Sequence, residues 1–213
     1  MALGFGATSG VGATDAIQTA YDGRSHLRTY FCRTWMNGAG GAGLGAVFRS
    51  GVGTSSAALL YADGGVVNLQ FRVGFSTTDG VWNFPAPATG GWHSVAIRHD
   101  SSSAANAPVV FVDGVSVVVT ELTAPVGAAG LTSAPFFIGN NAISGGNRNW
   151  DGRLADFAIW NAIVPQADIV AMNAGLPPSK VRPQSLVEYL PMLGHGGSVR
   201  AGATSTTGTT VVP

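Results

Sequence analysis

"WDGRLADFAIWNAIVP", residues 150–165, is the stretch on which the reading of the chain turns. Gly152 to Trp160 alternates like a strand, and Trp150 and Trp160 bracket it. Asp151, Arg153 and Asp156 lie close together, and Pro165 opens a new element. Three readings compete: a loop carrying a catalytic acid pair, a metal site, or a structural signature. Spacing weighs against the first. Glycoside hydrolysis needs two carboxyl groups about 5–9.5 Å apart. On an extended strand, Asp151 and Asp156 stand about 16 Å apart on opposite faces.

The 213 residues are enough for one sizeable core. Charged residues make up 10% of them, against about 25% in an average soluble domain. The formal net charge is zero, and Lys180 is the single lysine. A nucleic-acid role therefore has no electrostatic footprint. The polybasic segment that favours an anionic membrane is missing too, and no run approaches the roughly 20 apolar residues of a membrane span. Cys32, the one cysteine, sits in the apolar run "TYFCRTW" and reads as a buried, inert thiol. "ALGFGATSGVGATD" after Met1 has neither a basic nor a continuous apolar region, and no Asn-x-Ser/Thr sequon occurs. The expectation is a protein made without export.

Short β-rich runs separated by Gly, Pro, Asn and Asp recur from Asp15 to Leu190. The clearest are 26–36, 44–50, 57–62, 66–75, 92–100, 108–114, 115–122, 134–140, 152–161 and 185–191. Asp113-Gly114, between two Val-rich runs, signals a tight hairpin, because a type I′ turn needs positive φ at both central positions. One segment reads as a short helix, "PQADIVAMNAG". Pro165 suits a first helical position, Ile169 and Met172 share a face, and Gly175 is a stop. The fold class is all-β: an antiparallel two-sheet jelly-roll sandwich with one short helix.

The motifs in order resemble the laminin-G-like, concanavalin-A-like sandwich group over roughly residues 15–193. The carriers are "GGWHSVAIRHD" (90–100), "VVFVDGV" (109–115), "FFIGN" (136–140) and "WDGRLADFAIWNAIVPQADI" (150–169). The resemblance implies that Gly152–Trp160 is a core strand. Leu154 and the aromatics would pack inward, and Asp156 would tie down neighbouring backbone. Trp92 and Trp160 are expected in the core. The group includes glycosidases, but the related β-glucanases carry their acids at alternate positions of one strand. No strand here has Glu-x-Asp or Asp-x-Glu, and the two glutamates, Glu121 and Glu188, lie in separate segments. Catalysis is expected to be absent.

Metal binding through histidine fails on spacing, since His93 and His99 stand roughly 20 Å apart on one strand. Laminin-G-like domains often bind calcium at a rim through Asp and carbonyl oxygens. Asp22, Asp63 and Asp79 are the calcium candidates, although none sits in a dense oxygen cluster. Sugar binding needs aromatic faces with amide or carboxylate partners on loops. "GGNRNWDG" offers Asn147, Arg148, Asn149 and Trp150, and "DGVWNF" offers Trp82 and Asn83.

Residues 194–213, "GHGGSVRAGATSTTGTTVVP", form a Gly/Thr-rich tail after the 1–193 sandwich. Ordering it costs roughly 1–2 kcal/mol per residue, with little apolar area in return. Thr209, Thr210, Val211 and Val212 alone have strand propensity. They are expected to pair with another protein surface, a sister subunit or a capsid protein. Standalone chains of this group resemble bacteriophage structural proteins. The first functional expectation is therefore a capsid-decoration or particle-surface protein of the virion, homo-oligomeric and assembled in the host cytoplasm. The alternative is a carbohydrate-binding module or lectin with a glycan partner.

Overall fold

The structure, a computed structural model, describes residues 2–5, 16–19, 25–52, 55–131, 136–140, 148–192, 203–205 and 210–212. In chain order the elements are β1 (Ala2–Phe5), β2 (Ile17–Thr19), β3 (Leu27–Met36), β4 (Ala46–Val52), β5 (Ser55–Ala62), β6 (Asn68–Val73), β7 (Gly80–Pro85), β8 (Trp92–Asp100), β9 (Val109–Val112), β10 (Val115–Val117), β11 (Thr120–Thr123), β12 (Phe136–Ile138), β13 (Gly152–Trp160), α1 (Gln166–Asn173), β14 (Leu186–Leu190), β15 (Ala203–Ser205) and β16 (Thr210–Val212). They build two antiparallel sheets. The first runs β10-β9-β8-β3-β13-β1-β16, with β14 also on β13, and the second runs β11-β7-β6-β5-β4-β12-β2-β15. No helix among the described residues is long and apolar enough to cross a membrane.

β13 organises the first sheet. It pairs with β3 along one edge and shares the other between β1 and β14. Strict alternation would place Leu154, Asp156 and Ala158 on one face. A bulge between Ala155 and Ala158, with Asp156 at φ 50°, shifts the phase by one residue. Leu154, Phe157 and Ile159 can then all enter the core between the sheets, while Trp160 and Ala158 join a second cluster on the outer face. Asp156 ties down side chains rather than the expected backbone. Arg33 Nε donates to its Oδ2 at 3.1 Å and the Tyr189 hydroxyl to its Oδ1 at 2.9 Å. Gly152 has to be glycine, because a Cβ there would collide with the Trp35 carbonyl oxygen.

The chain beyond β13 covers part of that outer face. Thr29 Oγ1 donates to the Ala162 carbonyl at 2.7 Å and accepts from Val164 N–H at 2.9 Å, pinning the linker. Pro165 precedes the first helical residue instead of occupying it. Ile169 and Met172 are buried as their spacing predicts, and Gly175 follows at φ 108°. The cover ends at Asn173, whose Oδ1 accepts from Ser94 Oγ at 2.9 Å. Trp160 is fully buried, with its indole N–H on the Val181 carbonyl at 2.8 Å. Trp92 lies beyond the helix and is 42% exposed, which corrects its expected core position.

Two further expectations change. The run 115–122 divides after Val117: β10 hydrogen-bonds to β9 in the first sheet, and β11 to β7 in the second. Where the tail is described, it pairs within its own chain. Residues 210–212 pair with β1, and 203–205 with β2, so its strands belong to the same chain's two sheets. Thr209 lies outside the described residues.

His99 sits inside the sandwich, 4% exposed, between the rings of Phe71 and Trp82. Its Nε2 donates to the Asn106 carbonyl at 3.1 Å. Burial, reinforced by Arg28, pulls its pKa from 6.5 to about 4 despite the Asn106 bond. Unfolded chains take up the proton first as pH falls, so stability present above 6.5 is lost progressively toward pH 4. The expected loss is on the order of 3 kcal/mol. Urea midpoints at about pH 7 and about pH 4.5 measure it, and His99→Gln should flatten the difference.

Candidate functional site

Alternation on the second sheet separates core from surface. Leu69, Phe71, Val73, Trp82 and Phe84 point into the sandwich. Gln70, Arg72 and Asn83 therefore point out from β6 and β7. Register then arranges them in rows. Ala46, Tyr61, Gln70, Asn83 and Thr120 are successive cross-strand partners, and Arg49, Leu59, Arg72 and Val81 form the next row.

The polar groups on this face hold one another. Gln70 Nε2 donates to Asp63 Oδ1 at 3.3 Å and to Asn83 Oδ1 at 3.1 Å. Asn83 Nδ2 donates to Asp63 Oδ2 at 2.5 Å, closing a ring of two amides and a carboxylate. Beside it, Arg72 directs Nε and Nη2 at Asp79 Oδ2, 2.7 and 2.5 Å away, while Asp79 Oδ1 accepts from Phe75 N–H. Burial, then the charges of Arg148 and Arg72, lowers the pKa of Arg49. Burial raises that of Tyr61, with Arg72 opposing. A cleft of about 280 Å³ adjoins the ring, lined by Asn68, Asn83, Pro85, Val118, Thr120 and Leu122, among others. Asn83 belongs to both ring and cleft. Gln70 is 8% exposed and spends both amide hydrogens within the ring, so it fixes its neighbours, and Asn83 and Asp63 are the members that can meet vicinal hydroxyl groups.

Four of the sequence candidates, Asn83, Arg148, Asp63 and Asp79, thus share one neighbourhood although they come from separate segments. The two aromatic candidates do not join them. Trp82 is 1% exposed and Trp150 is fully buried, both in the central core, so neither can be a sugar platform. Residues 80–85 form a strand instead of the expected loop, and its alternation turns Trp82 in and Asn83 out. Asn149 is fully buried and bridges Ala46 through backbone, with its carbonyl accepting from Gly41 N–H at 3.0 Å. Asn147 and Asp22 lie outside the described residues. Asp63 and Asp79 do not converge on a shared ion position, since amides and a guanidinium already engage them. Among the described residues, no three His, Cys, Asp or Glu side chains are grouped to hold a metal. Sequence reasoning missed Gln70 and Arg72, and their place opposite the core residues of 68–73 was the available signal.

Residues 12–170 match the family described as the concanavalin A-like lectin/glucanases superfamily. No curated protein matches the chain. Among solved structures, a putative carbohydrate binding protein from Bacteroides ovatus aligns with 98% of this chain at 14% identity and a TM-score of 0.66; the chain spans 58% of that protein's length. A native heptameric SAP-like pentraxin from Limulus polyphemus aligns over 81% of both chains at 15% identity and a TM-score of 0.57. The CBM40 of the Ruminococcus gnavus IT-sialidase, bound to alpha2,3 sialyllactose, aligns with 76% of this chain and 94% of its own, at 9% identity and a TM-score of 0.56. At these identities the likeness is one of fold.

The opposite roles of two adjacent residues are open to measurement. Trp82→Ala should cost about 3–5 kcal/mol of stability, as large core truncations do. Asn83→Ala should cost about 1 kcal/mol through its hydrogen bonds. Denaturant titration of the two variants checks the order, and equal losses would place Asn83 in the fold rather than in a site.

Proposed function

The chain belongs to the concanavalin A-like lectin/glucanases superfamily, and we propose that it is a non-enzymatic carbohydrate-binding module whose glycan lies on the outer face of the second sheet. The observation that carries this reading is the Asp63–Gln70–Asn83 ring opening on the adjacent cleft. Sugar hydroxyls both donate and accept; with both Gln70 amide hydrogens spent inside the ring, the second Asn83 amide hydrogen supplies the donor and the Asp63 and Asn83 oxygens the acceptors. The ring forms before any ligand arrives, so little side-chain entropy remains to be lost on binding. A putative carbohydrate binding protein and a sialyllactose-bound module that share the fold support the same reading.

Binding without turnover is favoured by how the acids on this face are engaged. Asp79 is committed to Arg72 and a backbone N–H, and both oxygens of Asp63 accept from amides. Neither is placed to shuttle a proton. On an array of immobilised glycans, the protein should mark a discrete set. Asn83→Ala should weaken binding to that set by about tenfold or more, with no reducing ends released. Retention of full binding by both Asn83→Ala and Asp63→Ala would remove the site from this face.

A second reading, a particle-surface structural protein of a virion, draws on the open side of the sandwich. The terminal strands β10 and β11 leave Val115, Val118 and Leu122 at 66%, 79% and 52% exposure. The segment 107–131 contains no Lys or Arg to guard these edges. Val118→Lys should abolish concentration-dependent association in sedimentation velocity, and a monomer at all concentrations in the unmodified protein would count against this reading.

A further inference from the structure

The first sheet has an uncovered patch with a different chemistry. Arg153, Trp35 and Trp92 are consecutive cross-strand partners on β13, β3 and β8, in one row beyond the reach of α1. Trp35 and Trp92 meet edge to face, their centroids 6.1 Å apart and their planes at 76°. The Arg153 guanidinium lies over the Trp35 ring, 5.3 Å from its centroid. Asn37, which is exposed, accepts from the Trp35 indole N–H at 3.0 Å and fixes that ring. Asn37 N–H donates to the Asp151 carbonyl at 2.8 Å, and its side-chain amide approaches Asp151 Oδ1 at 3.5 Å. Asp151 Oδ2 lies where a Cβ at position 38 would stand, so glycine there leaves the carboxylate its place beside Asn37.

We propose that this row is a second glycan site, separate from the face of the second sheet, that stacks one ring of a neutral saccharide on Trp92. Indole presents a broad apolar face to sugar C–H groups at low cost in conformational entropy. Trp35 fills the interval between Arg153 and Trp92, so the row forms one continuous platform about two strand spacings, or roughly 10 Å, long, on which a single sugar ring fits at the Trp92 end. Asp151 and Asn37 flank the row and take the hydroxyls. One cation and one carboxylate balance each other, so the patch selects an uncharged sugar rather than an acidic one. A fully buried Trp92 would have been core, but its 42% exposure follows from strand parity and from the cover ending at Asn173.

Tryptophan oxidation by N-bromosuccinimide, read by mass spectrometry of the peptide containing Trp92, tests this. Soluble β-glucan, galactomannan, arabinan and dextran serve as neutral probes, with alginate as the acidic one. At least one neutral polysaccharide should slow Trp92 oxidation by about fivefold or more. The same protection should appear in Asn83→Ala, because the two sites lie on different sheets, and it should fall in Asn37→Ala. Loss of array binding in Asn83→Ala reports on the other face alone, so either site can fail without the other. Trp92 oxidising at one rate with and without every polysaccharide, as it would if the patch served a protein partner, overturns the proposal. Protection by alginate alone also overturns it.

Discussion

The single extra residue in β13 is the constraint from which the architecture follows. Leu154 is an odd number of residues from Phe157 and from Ile159, so uninterrupted alternation cannot turn all three toward the core. The bulge at Asp156 resolves this by letting Leu154, Phe157 and Ile159 all face inward while Trp160 faces out. A residue at φ 50° is strained unless its surroundings fix it. Here a guanidinium from β3 and a hydroxyl from β14 grip the same carboxylate, and Arg33 Nη2 reaches on to the Met172 carbonyl at 2.6 Å. One side chain therefore joins three strands and the end of α1. Burial, helped by Asp156, lifts the Tyr189 pKa at this half-buried junction.

Much of this was legible in the residues, for identifiable reasons. The strand 92–100 is bounded as expected, because Gly90-Gly91 and the turn after Asp100 punctuate a β-branched run. The helix was legible from Pro165, Gly175 and the Ile169–Met172 spacing. What stayed hidden was the facing of side chains. Trp82 and Asn83 are neighbours, and only the strand's phase says which meets solvent. Trp92 depends on how far a helix 70 residues later extends across the sheet. The break at Val117 has no Gly or Pro to announce it, since "VSVVV" reads as one strand in either sheet. The pairing of 210–212 depends on residues 2–5, whose own sequence is barely strand-like.

The low charge content takes on a spatial meaning once the faces are separated. Arg33, Arg72 and Arg182 are paired with Asp156, Asp79 and Asp168, and His93 with Asp113. The remaining charges are sparse and of balanced sign, 11 basic and 11 acidic side chains in 213 residues all told, so long-range fields are weak. Recognition at the two proposed sites would then rest on directed hydrogen bonds and ring stacking rather than steering. That suits abundant, uncharged, multivalent surfaces better than scarce soluble partners.

The place of β1 has a consequence in time. Its hydrogen-bond partners are residues 152–154 of β13 and 210–212 of β16. At about 5–20 residues per second, a ribosome delivers the first of these partners roughly 10–30 s after residues 2–5 emerge. Until then every pairing β1 makes is a wrong one, and the low charge of the chain does little to keep nascent copies apart. β1 is fixed only by pairings that span about 150 residues or more, and long-range closure of that kind is slow compared with any local turn.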